Sequence, residues 1–203
     1  MTIRRGEAWG EAVAVPPGLT VVRSDGELHD IVERWRRGDG ELPAIGLGGG
    51  DLARTAAGGS ADQFTAGATR LTLDLVRVEA GGETTWSVAH VVCRRSWWRG
   101  EVVLATTAQY LDGRDVAPRS HPNDGRVDVL RVDGAMPARV RWQAMRRSRT
   151  GTHVPHPQLA ISQPRSVELT VPRPLHLWVD GRRWRTASSV VLTVEPDAYV
   201  AYV

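Results

Sequence analysis

The chain has 203 residues, 41% of them hydrophobic and 24% charged, enough apolar material for one large folded domain or two small ones. All 26 basic residues are arginine, which excludes lysine Schiff-base chemistry and a Walker-type phosphate loop; residues 1–60 hold 7 Arg against 9 acids and the remainder 19 against 14. The lone Cys93 excludes an intramolecular disulfide and a cysteine-based zinc cage. No run approaches the roughly 18 apolar residues of a membrane span, and Arg4, Arg5, Glu7 and Glu11 stand where a signal peptide is apolar, so the expected location is cytoplasmic.

Residues 19–23 form a short apolar run that ends in Ser24-Asp25-Gly26. Leu28, Ile31, Val32 and Trp35 then recur at i, i+3, i+4 and i+7, which predicts a helix over 27–37 capped by Ser24 or Asp25. Residues 43–47 predict a second strand running into Gly48-Gly49-Gly50, and 51–57 a short helix closed by Gly58-Gly59. Trp9 to Pro17 reads as an irregular or strand-like lead-in.

After about residue 61 the texture changes. Runs at 71–78, 84–94, 101–110, 127–132, 166–171, 175–179 and 190–194 read as strands separated by Gly81-Gly82, Asn123-Asp124-Gly125 and Asp180-Gly181 turns. Asp112-Gly113-Arg114-Asp115 also reads as a turn. One helix interrupts at 136–148, with Val140, Ala144 and Met145 facing inward and Arg139, Arg141, Arg146, Arg147 and Arg149 on its other faces. Residues 190–203 are β-rich, bent at Glu195-Pro196-Asp197. The expected fold is α+β, with a small α/β unit over 1–60 and a larger antiparallel β-sandwich with one inserted helix over 61–203.

Several local sequences, in order, resemble the diacylglycerol kinase, bacterial lipid kinase and sphingosine kinase family. Arg23-Ser24-Asp25-Gly26-Glu27 stands where that family carries Gly-Gly-Asp-Gly-Thr, and Leu47-Gly48-Gly49-Gly50-Asp51-Leu52-Ala53-Arg54 is similar to its second nucleotide loop. His121-Pro122-Asn123-Asp124-Gly125-Arg126-Val127-Asp128-Val129 resembles its Asp-Asp-Gly-x-x-Asp-Val segment. Gly151-Thr152-His153 resembles its Gly-x-His turn, and Trp178-Val179-Asp180-Gly181-Arg182 its Val-Asp-Gly-Glu turn. The resemblance covers almost all of residues 19–203. It makes residues 1–60 a truncated remnant of a nucleotide domain and 61–203 the family's C-terminal sandwich.

The resemblance implies nucleotide or phosphate contacts at Asp25, Gly26, Gly48, Gly49, Gly50, Asp51 and Arg54. It also implies a structural Mg²⁺ or Ca²⁺ ion on the Asp124 carboxylate with the carbonyls of His121 and Arg126, an oxygen-only set that suits a hard cation. The departures weaken the kinase reading. Arg23 and Ser24 replace two cradle glycines, and a Glu27 carboxylate about 4 Å from a phosphate would cost up to ~4 kcal/mol at an effective dielectric of 20, so ATP binding is expected to be weak. Arg182 replaces the family's general base, whose loss typically costs about 10²- to 10⁴-fold in rate; Glu168, Asp180 and Glu195 are the other carboxylates within reach in sequence.

The sequence therefore predicts a catalytically impaired, pseudokinase-like relative that binds a lipid or a phosphate-bearing ligand. His153, Arg139, Arg146 and Arg147 are its lipid or anion contacts, and an anionic membrane surface, a second copy or a partner protein its expected partners. The lead-in or a second subunit is expected to cover the edge of the parallel strands. Two alternatives stand beside it: an active ATP-dependent lipid kinase completed by a second subunit, and, ranked last, a nucleic-acid module using the Arg/Trp surface.

Overall fold

The computed structural model describes residues 9–60, 64–154 and 156–203. In chain order it holds β1 (Glu11–Val13), β2 (Thr20–Val22), α1 (Asp25–Arg37), β3 (Ile45–Leu47), α2 (Asp51–Thr55), β4 (Ala68–Ala80), β5 (Glu83–Ser87), β6 (His90–Arg94) and β7 (Val102–Thr106). There follow β8 (Tyr110–Leu111), β9 (Arg114–Asp115), β10 (Asp128–Val132), α3 (Ala138–Arg147), β11 (Leu159–Ser162), β12 (Ser166–Val179) and β13 (Arg182–Tyr202). One large sheet runs β1-β4-β13-β12-β6-β7-β10-β11, all antiparallel, and β5 pairs with β4. The parallel pair β2-β3 joins it through Tyr202 opposite Gly46. The expected α+β sandwich with one inserted helix is the fold observed.

Alternation along β4 explains how one sheet serves two cores. Leu71, Leu73 and Leu75 pack on one face against Leu28, Val32, Leu47 and Leu52 of the N-terminal segments. Val76, Val78 and Ala80 face the other way, onto Val91, Val103, Val129, Leu177 and Leu192 inside the sandwich. Strand β13 must make the same change of core, and it does so at a bulge between Glu195 and Tyr199, where Asp197 adopts φ 53°. The bend read from Glu195-Pro196-Asp197 is this bulge. Asp74 lies opposite it, buried, and accepts from the Asp197 N–H at 2.9 Å.

Helix α1 begins two residues earlier than its apolar spacing requires and ends at Gly38, whose φ of 82° closes the last turn through its N–H to the Trp35 carbonyl. Helix α2 is shorter than predicted because Ala57 turns left-handed and Gly58 N–H already bonds back to the Ala53 carbonyl. The run at 84–94 breaks into β5 and β6, and 166–179 is one strand with a register shift at the prolines between Thr170 and Leu175. Strand β11 lay below the resolution of periodicity. The lead-in strand β1 pairs with β4, so it does not cover β2, which pairs only with β3 among the described residues. No described helix is long and apolar enough to cross a membrane.

Candidate functional site

The first loop closes on itself. Ser24 is the N-cap of α1, and its hydroxyl accepts from the Glu27 N–H at 3.2 Å while Glu27 Oε2 accepts from the Arg23 N–H at 2.7 Å. This is a capping box displaced by one residue at its second bond, and it is built from Ser24 and Glu27, two of the three residues in this loop that depart from the family pattern. Asp25 reaches across to the second loop, where its carboxylate accepts from Asp51 N–H at 2.9 Å and Leu52 N–H at 3.1 Å. Those are the first N–H groups of α2, the place an anion would occupy.

Glycine is required between the loops. A Cβ on Gly50, whose φ is 98°, would stand 2.5 Å from Asp25 Oδ1, and one on Gly49 2.5 Å from the Arg23 carbonyl. Gly48 N–H donates to the Val22 carbonyl, and Arg54 stacks 4.4 Å over Tyr110. The Asp51 carboxylate accepts from Asp112 N–H at 2.6 Å and Gly113 N–H at 2.9 Å, tying α2 to the β8-β9 hairpin that sequence reads as a turn. Asp25, Asp51 and His90 bring one ligand atom each within 4.8 Å. Each carboxylate already accepts two N–H bonds, and His90 Nε2 donates to the Tyr110 carbonyl at 2.6 Å, so that nitrogen has no lone pair for a cation. Burial raises the Asp25 pKa, with His90 and the two N–H bonds opposing it and Asp180 adding to it.

The Asp180-Gly181 turn comes back to the first loop from the far end of the sequence. Asp180 has no exposed side chain and accepts from Ser87 Oγ at 3.0 Å, Val88 N–H at 2.9 Å, Ala89 N–H at 2.9 Å and His90 N–H at 2.8 Å, with His29 Nδ1 at 3.2 Å. These bonds fall at the break between β5 and β6 and make the carboxylate a structural anchor. Burial disfavours charge on His29, yet the Asp180 hydrogen bond and charge, helped by Glu33 and Asp30, hold its pKa above the usual value. Arg182 lies over Gly26, bonding its carbonyl at 3.4 Å and pairing with Asp30. Glu195 is paired with Arg36, and Glu168 accepts from Ser189 on the sheet surface. His29 and His90 were missed from sequence, where a lone histidine on a helix or strand carries no signal.

The Asn123-Asp124-Gly125 turn is a separate polar centre. Asp74 accepts from Gly125 N–H at 2.7 Å, and Asp124 Oδ1 from Arg126 N–H at 2.9 Å. Burial pushes the Asp124 carboxyl up to about 6 against the Arg126 N–H bond, with Asp128 and Asp74 adding to the rise. The His121 ring is engaged, accepting from Asn123 N–H and meeting Trp9 edge-on at 4.6 Å, which leaves its carbonyl as its ligand atom. A hard cation held by the Asp124 carboxylate and the His121 and Arg126 carbonyls would have an all-oxygen donor set and would offset the repulsion from Asp128 and Asp74.

Helix α3 borders a half-open cavity of about 400 Å³, in which its Ala144 and Met145 face Leu104 of β7 and Leu130 of β10, with Trp97, Met136 and Leu159 also in the lining. His153 lines it too, its Nε2 donating to the Val116 carbonyl at 3.1 Å. Arg139, Arg146, Arg147 and Arg149 are exposed, and Arg146 lies 4.8 Å over the half-exposed Trp142. Arg141 corrects the sequence reading: it is 4% exposed and points into the protein. Within the Arg/Trp clusters Arg94 lies between Trp97 at 4.6 Å and Trp178 at 5.1 Å, while Arg95, Trp98, Arg99, Arg182 and Arg183 are exposed.

Two crystal structures named as diacylglycerol kinases from Bacillus anthracis str. Sterne superpose with TM-scores of 0.66 and 0.67 at 11% and 10% identity, each covering 90% of this chain and 77% of its own. A third from the same organism has a TM-score of 0.55 at 10% identity, covering 90% and 75%. At these identities the likeness is one of fold. No curated protein matches the chain. The family model described as the YegS C-terminal NAD kinase beta sandwich-like domain matches residues 60–201. The chain belongs to that family, with the diacylglycerol kinase-like fold that its glycine loops and Asp-Gly turns resemble.

Proposed function

We propose that this is a catalytically impaired relative of the lipid kinases that holds a lipid in the cavity beneath α3 and rests the Arg139, Arg146 and Arg147 face of that helix on an anionic membrane surface. The observation that carries the first half is the closed pair of glycine loops, where Ser24, Glu27 and Asp25 take N–H groups that a phosphate would use. Arg182, paired with Asp30 at the position of the expected base, accepts no proton at physiological pH. The apolar cavity, which the 44% exposed Trp98 helps to line, and the 50% exposed Trp142 on α3 support the second half. A Mg²⁺ or Ca²⁺ ion held by Asp124 would fix the turn between β7 and β10 without taking part in transfer.

Calorimetric titration of Mg-ATP into the native chain and into the Glu27→Thr/Arg182→Glu variant tests this reading. The expected result is no binding by the native chain and measurable binding by the variant. Micromolar binding by the native chain, with phosphate transfer to diacylglycerol, would establish the alternative of an active lipid kinase. For the membrane half, sedimentation with anionic vesicles at low salt that disappears at high salt is expected; equal sedimentation with neutral vesicles contradicts it.

A further inference from the structure

Arg141 and Arg114 both line the cavity beneath α3. Arg141 donates from Nε to the Met136 carbonyl at 3.0 Å, from Nη1 to Trp97 at 3.2 Å, and from Nη2 to Asp133 at 2.8 Å and to Gly100. All four acceptors are neutral carbonyls, and a guanidinium has five N–H groups, so one remains. Arg114 donates to the Met145 carbonyl at 3.1 Å. Among the described residues neither arginine lies within 4.0 Å of a carboxylate, whereas Arg131 and Arg185 do pair with acids. The other charged group on the lining is the exposed Asp112, and the exposed Asp133 acts on Arg141 from beyond ion-pair distance. Carbonyl dipoles solvate a buried cation but do not pair its charge, and a buried charge without a directly paired counter-ion is costly.

We infer that this cavity takes a single-chain amphiphile whose anionic headgroup, a carboxylate or a phosphate monoester, sits against Arg114 and Arg141 while its alkyl chain lies along Trp97, Leu104, Leu130 and Leu159. The inference rests on the lipid-holding reading above and narrows it from lipids in general to acidic ones. A volume of about 400 Å³ lies in the lower half of the range for ligand pockets and suits one chain. Arg141 also ties α3 to the Trp97–Gly100 loop, so an anion bound to it would sit at the hinge between the helix and the sheet.

The test is quenching of tryptophan fluorescence in the full chain by bromododecanoate, bromododecyl phosphate and bromododecanol, each below its micelle concentration. The expected result is that at least one anion binds about tenfold or more tightly than the alcohol; which anion does so identifies the headgroup. Arg114→Met, which leaves the Arg141 bonds in place, is expected to weaken the anion about fivefold or more and leave the alcohol unchanged. Equal affinity for all three probes, or an anion affinity untouched by Arg114→Met, overturns the inference and leaves the lipid reading standing. Absence of quenching by every probe overturns both.

Discussion

Around Asp25 and around Arg141 the same resource, buried hydrogen-bonding capacity, is used in opposite ways. At the glycine loops, carboxylates from Asp25, Glu27, Asp51 and Asp180 meet backbone N–H groups and take them up. Beneath α3, guanidinium groups meet backbone carbonyls around an unfilled apolar volume, and positive charge is left over. The glycine loops are a joint that ties α1, α2 and the β8-β9 hairpin together, and the ligand-facing chemistry proposed above lies beneath α3. Carboxylate-capped helix starts repel a phosphate, whereas carbonyl-solvated arginines attract an anion.

The largest effect that distinguishes the two regions is Asp180→Ala. It strips the partner from three N–H groups, a hydroxyl and His29, and should cost about 3–5 kcal/mol in urea denaturation. A loss under about 1 kcal/mol would break the picture of a joint. Next is Gly50→Ala, where a Cβ collides with Asp25 at a φ of 98°; about 1–3 kcal/mol is expected by the same measurement. A smaller effect is pH-linked. His29 has a folded pKa above its usual 6.5, so its stabilising contribution is fully present below pH 6.5 and is lost as pH rises through the folded value. Melting temperature followed across that window should fall in the native chain and show a flatter profile in His29→Gln. The smallest change in stability belongs to Trp142→Ala, within about 0.5 kcal/mol because the ring is half exposed, yet this variant should lose affinity for anionic vesicles. Unchanged vesicle binding would remove α3 from the membrane account.

Much of this was legible before the structure. The i, i+3, i+4, i+7 spacing at Leu28, Ile31, Val32 and Trp35 located α1, and runs bounded by turn residues located β4, β7 and β10. The loop and turn sequences located the family fold. What remained hidden depends on partners distant in the chain. Asp180 reads as an ordinary turn residue until Ser87–His90 is brought against it from some 90 positions away. Ser24 and Glu27 read as damage to a phosphate loop, and only their mutual geometry makes them a cap. Arg141 was placed on an outer face because charge patterns with solvent in a sequence, and its burial depends on two carbonyls from the Trp97–Gly100 loop and two, of Asp133 and Met136, from the turn leading into its own helix.

The measurement that bears most directly on the closed loops is amide hydrogen exchange at Arg23, Glu27, Asp51 and Leu52, with and without Mg-ATP. The bonds to Glu27, Ser24 and Asp25 predict slow exchange at all four positions in the free protein and no change when nucleotide is added. Fast exchange in the free protein that slows on addition of Mg-ATP would mean that the loops are open to phosphate, and would contradict the account.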